Sequence, residues 1–148
     1  MLTGQCQLLK DVDCWGLFEH LPAPTFFRGR VVLLGDAAHA STPHQGAGVG
    51  QGIEDALILI ELLRAGITQS LDLEKIFEAY DSVRRPRSQK VVVTSRAAGE
   101  VYSFRGPARD DMEAIKLDLL KRFCWIWDED VSAQLKSAKS ILRRITKT

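Results

Sequence analysis

The densest apolar pattern in the chain lies between residues 30 and 63. Val31, Val32, Leu33 and Leu34 form an unbroken apolar run bounded by Gly29 and Gly35. Two of the four are β-branched, and a run of that length between glycines predicts a strand covered on both faces, as in a parallel sheet. From Ile53 to Leu63 nearly every position is apolar except Glu54, Asp55 and Glu61, the pattern of a helix buried over most of its circumference. Between strand and helix lie Ser41, Thr42, Pro43 and glycines at alternate positions, Gly46, Gly48, Gly50 and Gly52. The order strand, loop, helix predicts an α/β unit.

The flanking patterns are weaker. Alternation over Met1 to Leu9 predicts a strand, and Trp15, Leu17, Phe18 and Leu21 lead into Pro22-Ala23-Pro24, an extended connection. Trp15 is expected as a buried anchor. Beyond the apolar helix, Gly66 is expected to cap it, and a second helix runs from Asp72 to Arg85 with Leu73, Ile76, Phe77, Tyr80 and Val83 on its inner face. Pro86 should interrupt that helix. Residues Arg87 to Val101 read as a third helix, and Gly106-Pro107 as a loop. Two more helices are expected: Asp111 to Phe123, with Met112, Ile115, Leu119 and Phe123 inward, and Val131 to Ile145, with Leu135, Ala138, Leu142 and Ile145 inward. Trp125 and Trp127 read as core or domain-contact anchors.

The chemistry suggested by this layout is ligand binding at the strand's carboxyl end. In open α/β sheets ligands bind there, and a helix that starts at that point offers unpaired N–H groups and about half a positive charge. Glycines allow positive φ and close approach of a ligand to the main chain. Asp36, at the end of the strand, adds two acceptor oxygens suited to hydroxyl groups. A ligand with hydroxyls and an electron-rich end is implied.

The run GRVVLLGDAAHASTPHQGAGVGQGIEDALIL resembles the second flavin-binding motif of the single-component FAD-dependent monooxygenases, the aromatic hydroxylases, and above all their salicylate-hydroxylase-like branch. The likeness rests on Gly35-Asp36, Ala37-Ala38-His39, Pro43, the glycines and Glu54-Asp55-Ala56, in order and spacing. It implies that Gly35 and Asp36 serve a ribityl hydroxyl of FAD and that Pro43 lies beside the reactive face of the isoalloxazine. Gly46, Ala47, Gly48, Val49 and Gly50 would turn backbone N–H groups to the ring's pyrimidine edge, where reduced flavin is anionic. The implied reaction is hydride transfer from NADH or NADPH to FAD, reaction with dioxygen, and delivery of one oxygen atom to a small aromatic substrate. The implied fold is α/β, the C-terminal part of an FAD-binding Rossmann-like fold: one or few strands followed by a mostly α-helical region. Residues 1–28 would close a substrate-domain segment, and 29–148 would form the C-terminal part of the FAD-binding domain with a helical extension.

A complete member of that family is expected to begin with a GxGxxG turn and a later acidic residue that together hold the ADP half of FAD. Residues 1–29 contain only Gly4, Gly16 and Gly29, so the resemblance covers the C-terminal portion of a larger enzyme, and FAD binding by this portion alone is expected to be weak or absent. Three readings stay open: the monooxygenase, a flavin-binding protein without oxygenase activity, and a non-catalytic remnant or interaction module. The partners implied are the aromatic substrate and either the missing N-terminal half or a second copy in a homo-oligomer.

Composition narrows the field further. Twenty basic residues against 19 acidic ones, net +1, provide no field that favours nucleic acid or a membrane surface. No apolar run reaches the roughly 18 residues of a membrane span, and Met1 to Lys10 lacks the features of a signal peptide. Cys6, Cys14 and Cys124 are odd in number and scattered, which favours reduced thiols and a cytoplasmic protein. No nucleophilic or metal constellation is present. Arg84, Arg85 and Arg87 are expected on a solvated helix face, although Tyr80, Arg84 and Arg87 match a Tyr-x3-Arg-x2-Arg pattern of the family. Glu54 and Asp55 are expected to complement the helix dipole. Of the histidines, His44 is the better functional candidate, with loop packing as its default role, and His39 is expected to bond loop backbone.

Overall fold

A computed structural model describes residues 13, 15–68 and 72–147. The Met1 to Leu9 strand, Cys6 and Cys14 lie outside the described residues. Strands β1 (Phe27–Arg28) and β2 (Val31–Val32) form an antiparallel hairpin in which Phe27 faces Val32 and Arg28 faces Val31. The expected strand is therefore shorter than 30–34, and its neighbour here is antiparallel, because the chain reverses at once through Gly29. It is also not covered on both faces. Val31 is 66% exposed, and Leu33 and Leu34 are exposed too.

Helix α1 (Asp36–His39) is a single turn, followed by a 3-10 turn (Pro43–Gln45) and the long helix α2 (Gly48–Thr68). One stripe of α2 is buried: Gln51, Asp55, Ile58, Leu59 and Leu62. Val49, Ile53, Leu57 and Ile60 are exposed, so the expectation of a helix buried over most of its circumference fails among the described residues. Gly66 does not end the helix, which continues to Thr68. A glycine inside a helix costs only about 1 kcal/mol relative to alanine, and Gly66 is buried where packing outweighs that.

Helix α3 (Leu73–Tyr102) is continuous through Pro86, where a break was expected. Interior proline costs about 3 kcal/mol. The helix is nonetheless held by its packing against α2 and α6, and Arg84 and Arg87, on either side of the proline, are ion-paired to α2. Asp72 caps the helix by accepting from the Glu74 amide. Helices α4 (Met112–Arg122), α5 (Cys124–Trp127) and α6 (Val131–Ile145) follow, with Asp111 and Asp130 as side-chain caps of α4 and α6. In α4 Ile115 is buried, whereas Met112, expected inward, is exposed.

The core lies where α2, α3 and α6 meet, with the hairpin packed on α3. It contains Phe26, Ala38, Ile58, Leu62, Ile76, Phe77, Tyr80, Ala138 and Leu142. The connector ahead of β1 is held mainly through polar groups. The Phe26 amide donates to Asp81 Oδ1 (2.7 Å), the Gln89 side chain to the Ala23 carbonyl (2.6 Å) and the His20 amide to the Ala40 carbonyl (2.9 Å), while Glu19 pairs with Arg96. Trp15 is 82% exposed rather than buried, since its segment is extended and no described element packs over it. Trp127 is likewise 73% exposed, stacked on Phe123, while Trp125 is half-buried beneath Lys90.

Candidate functional site

The strand's end is fixed from two helices. Tyr80 Oη donates to the Leu33 carbonyl (3.2 Å), and the Gly35 amide donates to Asp55 Oδ2 (2.9 Å). Gly35 turns the chain with φ at +57°, a conformation that favours glycine. The first turns of α2 lie against it, since a Cβ on Gly52 would sit 3.6 Å from the Gly35 Cα. Asp36 therefore emerges beside the start of α2. It is exposed, and among the described residues its carboxylate accepts no hydrogen bond.

The start of α2 is unfinished in the same way. The first N–H groups of any helix lack intrahelical acceptors. Asp72, Asp111 and Asp130 satisfy such groups in α3, α4 and α6. In α2 the corresponding positions are Ala47, Gly48, Val49 and Gly50, none of which carries an acceptor side chain. Gly46 lets the chain enter with φ at +60°. A Cβ built on Gly35, Gly46 or Gly50 meets nothing within 4 Å, so no packed side chain fills the space before them. The free carboxylate and the free amides thus flank the contact between Gly35 and Gly52, and Pro43, in the turn that leads into α2, is exposed.

Behind these groups is a buried ionic network. Arg84 is fully buried and donates to Asp55 Oδ1 (2.7 Å), Glu54 Oε2 (2.6 Å), Gln134 Oε1 (2.9 Å) and Gln51 Oε1 (2.9 Å). Arg87 donates to both Glu54 oxygens (2.9 and 2.8 Å) and to Glu129 (3.3 Å). His39 Nε2 lies 2.6 Å from Asp55 Oδ2, so His39 bonds a carboxylate rather than loop backbone. Burial pushes the Asp55 carboxyl up, but His39, the Gly35 amide and Arg84 outweigh it and hold it below the usual carboxylate range. Burial likewise raises Glu54, and Arg87 and Arg84 bring it lower than usual. In Tyr80 burial, reinforced by the Asp55 charge, pushes the phenol well above its usual value.

These contacts correct two expectations. Arg84 and Arg87 are not solvated, and Glu54 and Asp55 do more than complement a dipole. The signal was present as two acids on one helix facing two arginines three residues apart on another. Nothing in local periodicity says that helices 30 residues apart will meet on those faces.

Comparison with known proteins assigns the chain to a family. Residues 11–95 match the FAD binding domain family. The chain belongs to that family. It is 43% identical to a salicylate hydroxylase of Pseudomonas putida over 158 aligned positions, covering 95% of this chain and 36% of the relative. It is 41% identical to a 6-methylsalicylate 1-monooxygenase of Aspergillus terreus, covering 94% of this chain and 31% of that protein. A solved salicylate hydroxylase substrate complex superposes with a TM-score of 0.73 at 47% identity, over 79% of this chain and 29% of that one. The chain thus spans about a third of the length of these relatives. The expected fold class, a short strand region followed by helices in an FAD-binding α/β fold, is what the structure and this neighbour share. Among the described residues no helix is long and apolar enough to cross a membrane.

Proposed function

We propose that this chain forms the wall on the isoalloxazine side of the flavin site in an FAD-dependent aromatic monooxygenase of the salicylate-hydroxylase type, working in the cytoplasm. The observation that carries the reading is the pairing of a free carboxylate with a free helix start across the contact between Gly35 and Gly52. Asp36 accepts from ribityl hydroxyls, with Gly35 setting its position. Pro43 would lie beside the ring, and the amides of Ala47, Gly48, Val49 and Gly50 would stabilise negative charge at the ring's edge, whereas the Gly46 amide already donates to the Pro43 carbonyl (3.0 Å) and contributes the turn instead. FAD, when bound, supplies the redox chemistry that takes hydride from NADH or NADPH and uses dioxygen to hydroxylate a small aromatic molecule. No side chain of this surface acts as nucleophile or proton carrier. The chain's own contribution is to bind, orient and stabilise charge.

Val31, Leu33 and Leu34, just ahead of Gly35, and Ile53 and Leu57, on α2, are exposed apolar residues. They are suited to cover by the remaining two thirds of such an enzyme, which would also hold the ADP half of FAD. On this reading residues 1–28 end the substrate-domain segment and 29–148 complete the flavin domain.

The test is to exchange this chain for the matching third of the Pseudomonas putida salicylate hydroxylase, then to measure flavin content and salicylate-dependent NADH or NADPH oxidation with oxygen uptake. A yellow, active chimera is the expected outcome. A folded, colourless one contradicts flavin binding, and a yellow one that consumes no oxygen points to the flavin binder without oxygenase activity.

A further inference from the structure

Glycine is a poor choice for the interior of a helix, yet Gly99 is buried within α3, three residues before its end. The space around it gives the reason. A Cβ at Gly99 would fall 2.6, 2.8 and 2.9 Å from three atoms of the His44 ring, closer than carbon atoms approach. The ring therefore sits in the notch that the missing side chain leaves. It also packs against Tyr102, with ring centroids 6.1 Å apart. Its Nδ1 is buried and takes no hydrogen bond among the described residues, and Glu100, the next residue of α3, lies near enough to feel the imidazole.

The same stretch of α3 grips the rest of the turn. Ser95 Oγ donates to the Thr42 carbonyl (2.6 Å) and accepts from Thr42 Oγ1 (3.2 Å), and Thr94 Oγ1 donates to Gln45 Oε1 (3.0 Å). Ser95, Gly99 and Tyr102 recur at helical spacing and share one face. Residues 42 and 44 are held by that face and residue 45 by Thr94 beside it, and Pro43 is carried between them.

We infer that Gly99 is a positioning residue, the seat of His44, through which the end of α3 sets the Pro43–Gly46 turn at the mouth of the candidate site. The seating is a property of this chain; its consequence for flavin rests on the reading given above.

The test is a double-substitution cycle on this chain, with hydrogen exchange at the amides of residues 44–46 as the principal readout. Gly99→Ala should leave the melting temperature near its starting value, because alanine is the better helix former, while exchange at 44–46 becomes several-fold faster. His44→Ala should loosen the turn to a similar extent, and Gly99→Ala should then add nothing further. Unchanged exchange in Gly99→Ala overturns the inference, and so does equal loosening by Gly99→Ala in the His44→Ala background. Flavin is titrated in parallel. The titration uses the chimera that supplies the ADP-binding portion, and failure of the unsubstituted chimera to bind FAD counts against the functional reading and leaves the exchange result to decide the seat. Loosened exchange with undiminished FAD affinity confines Gly99 to loop geometry and overturns its link to the site.

Discussion

Asp55 and Asp36 are the same side chain in two opposite situations. Asp55 is fully buried and receives the Gly35 amide, His39 and Arg84. Asp36, next to Gly35, is exposed and has no donor among the described residues. The contrast extends to their surroundings. Behind the motif, charges are paired and packed against α3 and α6; in front of it, the first amides of α2 and the glycines are left open. Buried polar groups must be satisfied within the fold, because desolvation without a partner costs several kcal/mol. Groups left unsatisfied at the surface are free to meet a ligand. One motif thus carries a side built for folding and a side built for binding.

Breaking the buried side should have the largest effect. Arg84→Ala leaves Asp55 and Glu54 without their main cation and should cost about 3–5 kcal/mol. In a domain of this size that lowers the melting temperature by roughly 6–20 °C, to be read from thermal unfolding by circular dichroism. A change below about 1 kcal/mol would show that the network is not what holds α2 to α3.

Acid should weaken the same side more gradually. Asp55 and Glu54 sit below the usual carboxylate range in the folded protein, so the unfolded chain binds more protons as pH falls. Their contribution is complete above the ordinary carboxylate value of about 4 and is lost as pH drops through their lowered native values. Denaturant unfolding followed from pH 7 downwards should show that loss, and Arg84→Ala should flatten it.

The exposed side should respond in reverse. Asp36→Ala should change stability by no more than about 0.5 kcal/mol, as expected for a surface position without partners. Flavin binding, in contrast, should weaken by roughly tenfold or more, the worth of a hydrogen bond to a charged group. Equilibrium unfolding of this chain and FAD titration of the chimera that carries it separate the two effects. A large loss of stability with unchanged flavin affinity would erase the distinction between the two sides.

How much of this could be read in the sequence depended on whether the relevant force was local. The bounds of α6, Val131–Ile145, agree with the expected helix, because its apolar period and the Asp130 cap are written side by side. Asp111 marks the start of α4 for the same reason. Pro86 misled because the helix it sits in is held by tertiary contacts, among them ion pairs reaching 29 to 33 residues back to α2, that local propensity does not contain. Arg84 and Arg87 looked solvated for the same cause, since charge alone does not reveal a partner on another helix. The glycine loop and Asp36 were legible through spacing, while Gly99 was not. It lies 55 residues from His44 and belongs to no pattern of its own.

The most direct measurement is hydrogen exchange of this chain, carried in the salicylate hydroxylase chimera that supplies the ADP-binding portion, with and without excess FAD. The account requires slower exchange at Asp36 and along Ala47 to Gly50, with no change at the groove formed by Pro86, Arg87, Lys90 and Trp125. Protection at that groove instead, or the same protection in Asp36→Ala, would contradict a flavin site on the glycine-lined surface.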